Sequence, residues 1–183
     1  MVVMPAIDPA VGALLAVALA AIFAWSAAMK FADLDVFEGA TANYRLLPRR
    51  VVRTVSRAVP LCECSGAAAL LLPSTRAIGV VCLMLLLGVF TAAIAINLMR
   101  GRTNIDCGCF GPAVRQSLSA WLLGRNALLF VLAALATAPR STRPLAWIDG
   151  VTIGLGATAL VLLYASANYA LGNAPRTRAL EAL

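Results

Sequence analysis

The chain has no histidine, and only 8 of its 183 residues are acidic. Without imidazole it lacks the commonest general base, the usual haem axial ligand and every His-containing zinc site. Charge of either sign is scarce, at 13% of residues, and leans basic, with 15 Lys and Arg giving a formal net charge of +7. In a soluble protein that excess would suggest nucleic acid. Here the basic residues flank apolar runs, where contact with membrane lipid and topology signalling account for them, so no nucleic-acid partner is expected. The sequence also has no repeat of solenoid period and no stretch polar enough for a soluble domain.

What is abundant is apolar: 62% of residues are hydrophobic and the mean hydropathy is +0.89. Soluble domains are near half apolar. Ala10–Met29, Ala77–Met99 and Val151–Leu171 carry no charge at all, and each matches the roughly 20 residues a helix needs to cross a bilayer. The first run has no basic segment before it, is too long for a signal-peptide core and is followed at once by Lys30, so it reads as an uncleaved span.

These runs predict an all-α integral membrane protein: four core transmembrane helices, a fifth beyond them, and one interfacial amphipathic helix. The first span covers Ala10–Ala32 and is followed by a polar stretch, Asp33–Ala42. Beyond Pro48, Val51, Val52, Val55 and Val59 share one helical face while Arg49, Arg53 and Arg57 stack on the other, the pattern of a helix lying on lipid headgroups. The second span, Pro60–Pro73, is short. The third covers Ala77–Met99, the fourth Ser117–Ala138 and the fifth Leu145–Leu171. With five spans, one side collects eleven basic residues from Lys30 to Arg178, against Arg76, Arg140 and Arg143 on the other. The positive-inside rule then puts the loop Arg100–Gln116 in the cytoplasm.

That loop holds Asn104-Ile105-Asp106-Cys107-Gly108-Cys109-Phe110-Gly111-Pro112. Gly108 removes the Cβ that would hinder two nearby sulfurs from meeting. A bond across one residue closes a small strained ring, which suits exchange rather than stapling. Used as a static staple it would constrain almost no loop entropy; two inert thiols are the other plain reading. The remaining cysteines are Cys62 and Cys64, which flank Glu63 at the start of the second span, and Cys82, which reads as a small packing residue. Loop parity puts Cys62 and Cys64 on the same membrane face as Cys107 and Cys109, which suggests a relay. On a regular helix the two point about 200° apart and cannot bond each other; both read equally well as packing residues.

Glu63, within an apolar span, marks a functional-site hypothesis. It could take a proton as a thiol ionises, or pair with Arg57 or Lys30. Arg125 either snorkels to the headgroups or faces the bundle and stabilises a thiolate, which would make it a cofactor- or thiolate-binding residue. Asn97 and Asn104 read as helix caps. Trp25, Trp121 and Trp147 read as interface anchors and packing rather than a quinone site, so no cofactor is certain and quinone stays open. The cysteines make a thiol–disulfide oxidoreductase the first reading, in which Cys107 or Cys109 forms a mixed disulfide with a partner. A site of four thiolates for zinc or iron–sulfur is one rival. A small-molecule carrier or scaffold built on Glu63, Arg125 and Asn168 is another.

Several local patterns recur together: Trp25 through Lys30-Phe31, Tyr44 with Pro48, Pro60-x-x-Glu63, Phe90-Thr91, and Asn97-Leu98-x-Arg100-Gly101-Arg102 followed by Cys107-Gly108-Cys109-Phe110-Gly111. In these the chain resembles the MauE-type proteins of methylamine utilisation, within the wider MauE/DoxX group of redox-associated membrane proteins. The similarity runs over about residues 8 to 138. It implies a MauE/DoxX-like helical domain over 1–138, with 139–183 as an additional transmembrane helix and basic tail. It further implies a multi-pass protein of the bacterial inner membrane that helps mature a secreted, disulfide-containing enzyme subunit, alongside a thioredoxin-like protein. In the methylamine system that subunit is the small subunit of methylamine dehydrogenase. Cys62 and Cys64 are not part of the family pattern. Disulfide formation belongs to the outer compartment, opposite to where the arginine count puts the loop.

Overall fold

The computed structural model describes residues 7–108, 116–139 and 141–181, with 171–181 as backbone alone. Within these residues the chain forms six helices: α1 (Pro9–Ala32), α2 (Leu34–Asn43), α3 (Arg49–Leu71), α4 (Arg76–Met99), α5 (Ala120–Leu135) and α6 (Trp147–Glu181). The expected all-α architecture holds. α1, α4 and the Trp147–Ala170 part of α6 are long and apolar enough to cross a membrane, and α5 is a shorter apolar helix. α4 and α6 turn Ile78, Val81, Leu85, Val89, Leu155 and Leu163 outward, each more than half exposed. Water disfavours so large an apolar surface and hydrocarbon does not, so this is a membrane protein.

α1 is the central helix, packed against α3, α5 and α6, with α4 bridging α3 and α5. Asp8 caps its start, accepting from the Ala10 N–H at 2.8 Å, and Pro9 fits the first turn, where no N–H is needed. Asp33 ends α1 and caps the next helix through the Val36 N–H. The polar stretch after the first span is therefore a helix, α2, whose buried residues Phe37 and Ala40 lie one turn apart.

The second difference is larger. The interfacial helix and the short second span are one continuous helix, α3, running through Pro60. Its buried residues, Val52, Ser56, Pro60, Glu63, Gly66, Ala67 and Leu70, follow one another at helical spacing. One face is thus buried from end to end, and that packing outweighs the ladder bond that proline removes. α3 and α4 meet closely at glycines: a Cβ on Gly79 would stand 2.8 Å from the Gly66 carbonyl oxygen and from the Leu70 nitrogen. A glycine is the residue that lets two backbones approach so far.

The C-terminal segment also differs from the expected basic tail, because α6 continues to Glu181. It packs along α1 and is anchored at its start. Arg143 bridges Asp8, at 2.9 and 3.0 Å, and Asp149, at 2.8 and 2.9 Å. The guanidinium beside Asp8 holds that carboxyl below its ordinary range.

Candidate functional site

The cysteine loop is built by its flanks. α4 ends in a double turn: the Gly101 N–H donates to the Leu98 carbonyl and the Arg102 N–H to the Asn97 carbonyl, with Gly101 in the left-handed region at φ +67°. This is the glycine-terminated helix end that satisfies orphan carbonyls. The Arg102 guanidinium then donates to the Asn97 side chain at 3.0 Å and to the carbonyls of Asn43, at 2.9 Å, and Tyr44, at 3.2 Å. The Asn-to-Arg motif is therefore a clamp between the end of α4 and the end of α2, and Asn97 does more than cap.

Beyond the clamp, the two arms of the loop pair. The Cys107 N–H donates to the Gln116 carbonyl at 2.9 Å and the Leu118 N–H to the Ile105 carbonyl at 3.0 Å. Asp106 accepts from the N–H groups of Gly108 and Gln116, both at 3.2 Å, which fixes the turn as an Asx-type motif. Gly108 is in the left-handed region at φ +70° and lies on α2, where a Cβ would stand 3.0 Å from Ala40 Cβ and 3.3 Å from Phe37 Cδ2. Both facts demand glycine. Gly108→Ala is expected to lose about 1–3 kcal/mol, read as a lower unfolding midpoint in detergent.

Cys107 is disulfide-bonded and only 3% exposed. Cys109 lies outside the described residues. The Tyr44 hydroxyl donates to the Cys107 carbonyl at 3.4 Å. Burial, with the Asp106 carboxylate second, pushes this phenol up to about 12, so Tyr44 is a neutral donor over the physiological range.

A second cluster of polar side chains is buried in the bundle. Lys30 of α1 is 1% exposed and Glu63 of α3 is 2% exposed; the ammonium donates to both carboxylate oxygens at 2.8 Å and also to Ser26. The Phe37 and Phe90 rings lie 5.4 and 5.7 Å from the ammonium, a cation–π enclosure that replaces water. Of the two pairings open to Glu63, the structure forms the one with Lys30. Lys30 is accordingly no flanking topology charge.

Arg125 faces the bundle rather than snorkelling. It donates to Asn126 at 3.2 and 3.3 Å, Asn168 at 3.1 Å and Gln116 at 3.5 Å, and Asn126 donates on to Thr91 at 3.0 Å. Glu63, Ser26, Arg125, Asn126 and Tyr164 line one cavity of about 30 Å³, about the size of a single water. The two polar groups thus share one small space. Through Gln116, whose carbonyl receives the Cys107 N–H, the Arg125 cluster also reaches the cysteine loop. Sequence reading singled out Glu63, Arg125 and Asn168 but missed Ser26, Thr91 and Gln116 as their partners. Ser26 and Lys30 lie at i, i+4 on one face of α1, a spacing that could have signalled the pair.

Cys62, Cys64 and Cys82 are free thiols. Glu63 points into the bundle, so its neighbours Cys62 and Cys64 both point away and are exposed. As expected for a regular helix, they do not bond each other. The Cys82 thiol donates to the Cys62 carbonyl at 3.8 Å. Among the described residues no group of three or more His, Cys, Asp or Glu could hold a metal ion. Trp147 is 81% exposed and Trp121 44% exposed, consistent with contact to lipid.

The family model of the methylamine utilisation protein MauE matches residues 8–139. The MauE protein of Paracoccus versutus is 40% identical over 159 residues, covering 86% of this chain and 84% of that protein. The MauE proteins of Paracoccus denitrificans and Methylophilus methylotrophus are 37% and 36% identical, covering 88% and 90% of this chain and 88% of each relative. No solved structure matches the chain. A family match over most of the sequence, with relatives aligned along nearly their full length, establishes that the chain belongs to the MauE family of methylamine utilisation proteins.

Proposed function

We propose that this chain is a multi-pass thiol–disulfide protein of the bacterial inner membrane that serves methylamine utilisation. In this reading it exchanges disulfides with a thioredoxin-like partner, and so helps mature a secreted, disulfide-containing enzyme subunit such as that of methylamine dehydrogenase. The observation that carries the reading is the bonded, buried Cys107 at the end of a braced turn. The chain has five cysteines and three are free thiols, so Cys109 is the partner of Cys107 in this proposal. A water-borne partner cannot reach a sulfur buried to this degree, which assigns the exchange with protein to Cys109 and the resolving role to Cys107.

The trapping variant follows from that assignment. Cys107→Ser should leave Cys109 in a stable mixed disulfide with the partner, seen as a reducible higher-mass species, whereas Cys109→Ser should trap nothing. Trapping through Cys107 alone overturns the assignment. No hydrogen bond or shared cavity links Cys62 and Cys64 to Cys107 among the described residues. A relay through them is therefore tested separately in the same assay, by a variant with serine at both positions. The proposal puts the loop on the outer face, against the arginine count. A membrane-impermeant thiol reagent applied to reduced intact cells checks this: reaction at the loop only after permeabilisation overturns it.

A further inference from the structure

α2, α3 and α4 enclose a groove of about 300 Å³. Its lining is almost wholly apolar: Phe37, Val55, Val59, Val89, Phe90 and Ala93 are representative, and Cys107 and Tyr44 close one end. No charged side chain lines it. Val89, also in the lining, is 67% exposed on the lipid-facing side of α4, so the groove opens toward hydrocarbon. A disulfide cysteine that is shut off from water is thus in contact with a cavity that lipid-soluble molecules can enter.

We infer that this groove is a binding site for a prenylated quinone, which reoxidises the Cys107–Cys109 dithiol after each exchange. The inference rests on the thiol–disulfide reading above and supplies the oxidant which that reading leaves open. The chemistry of the cavity selects the class. A peptide, glutathione or a nucleotide cofactor would strand its polar groups among these side chains. A two-electron carrier with a flat, weakly polar head and a hydrocarbon tail loses little on entering. The Phe37 and Phe90 side chains line the cavity, and the Tyr44 hydroxyl, whose bond to the Cys107 carbonyl is long at 3.4 Å, offers a donor for a quinone oxygen. The tail would leave past Val55, Val59 and Val89. Two S–H bonds break and one S–S bond forms; the two electrons and two protons pass to the two quinone oxygens, and hydroquinone leaves.

The test uses the full chain in lipid nanodiscs, with Cys62, Cys64 and Cys82 replaced by Ser so that only the loop couple reports. The protein is reduced, freed of reductant without air and mixed with a short-chain ubiquinone. Loss of quinone absorbance and loss of alkylatable thiol at Cys107 and Cys109 should proceed together, one quinone for each disulfide. Val89→Trp fills the groove from its lipid side, where folding tolerates it, and Ala93→Phe fills it from within. Either should slow quinone-driven oxidation about tenfold or more, the scale by which pockets discriminate bulk, while oxidation by diamide stays at the parental rate. If quinone oxidises the filled variants as fast as the parent, the groove is not the site. If quinone fails on the parent while diamide forms the Cys107–Cys109 bond, the quinone inference falls and the thiol–disulfide reading stands. If diamide forms no such bond, both fall.

Discussion

Glu63→Gln is expected to destabilise the folded protein by about 3–5 kcal/mol, the usual consequence of removing one partner of a buried ion pair. The carboxylate accepts from Lys30 through both oxygens and from Ser26. A neutral amide would leave an ammonium that is 1% exposed among Phe37, Phe90 and the Ser26 hydroxyl. The loss is read as a fall in the unfolding midpoint in detergent and in the yield of folded protein. Lys30→Met combined with Glu63→Leu removes both charges and should recover most of that stability, because the penalty comes from the uncompensated charge rather than from the missing bond.

The double variant also separates two roles for Glu63. If it folds and still exchanges disulfides, the pair is structural. If it folds and exchange is lost, the carboxylate handles a proton. The geometry favours the structural role: the Phe37 ring has the Lys30 ammonium 5.4 Å from its centre and the Gly108 turn against its edge. It therefore stands between the ion pair and the cysteine loop.

Arg125→Met is expected to have the second-largest effect, about 2–5 kcal/mol, as for truncating a buried hydrogen-bonded charge. The guanidinium serves three acceptor side chains, Asn126, Asn168 and Gln116, on α5, α6 and the loop. Methionine fills much of the space and leaves all three amides short of a donor. Because the Gln116 carbonyl holds the Cys107 N–H, the damage should spread to the loop. Limited proteolysis between α4 and α5 should therefore accelerate, and mixed-disulfide trapping, which the proposed function assigns to Cys109, should also appear through Cys107. Proteolysis at the wild-type rate in a protein destabilised by the expected amount would show that Arg125 braces the helices and not the loop.

The helices were legible in the sequence because hydrocarbon imposes a length and a polarity on them. Ala10–Ala32 and Ala77–Met99 coincide with α1 and α4 almost to the residue. α3 was not legible as one helix. Its first half carries arginines and its second half begins at Pro60, and local signals treat each as a boundary. What joins them is a buried stripe from Val52 to Leu70, which is a property of the neighbours α1 and α4. The polar stretch after α1 misled for a similar reason: α2 is defined by Phe37 and Ala40 docking on the rest of the protein, and two buried positions in ten leave too short a stripe to announce a helix.

The candidate site divides the same way. Sequence by itself determined the family, the membrane character and the Cys-Gly-Cys motif, because each rests on residue identity and short spacing. Which of two partners Glu63 takes, and whether Arg125 turns inward, were decided only when α1, α3, α5 and α6 came together. Before folding both choices differ little in energy; once water is excluded, an unpaired charge is costly and one arrangement prevails. The same packing decided that Cys107 is hidden from water and faces an apolar groove, while Cys62 and Cys64, equally conspicuous in the sequence, point outward on either side of a glutamate that faces in.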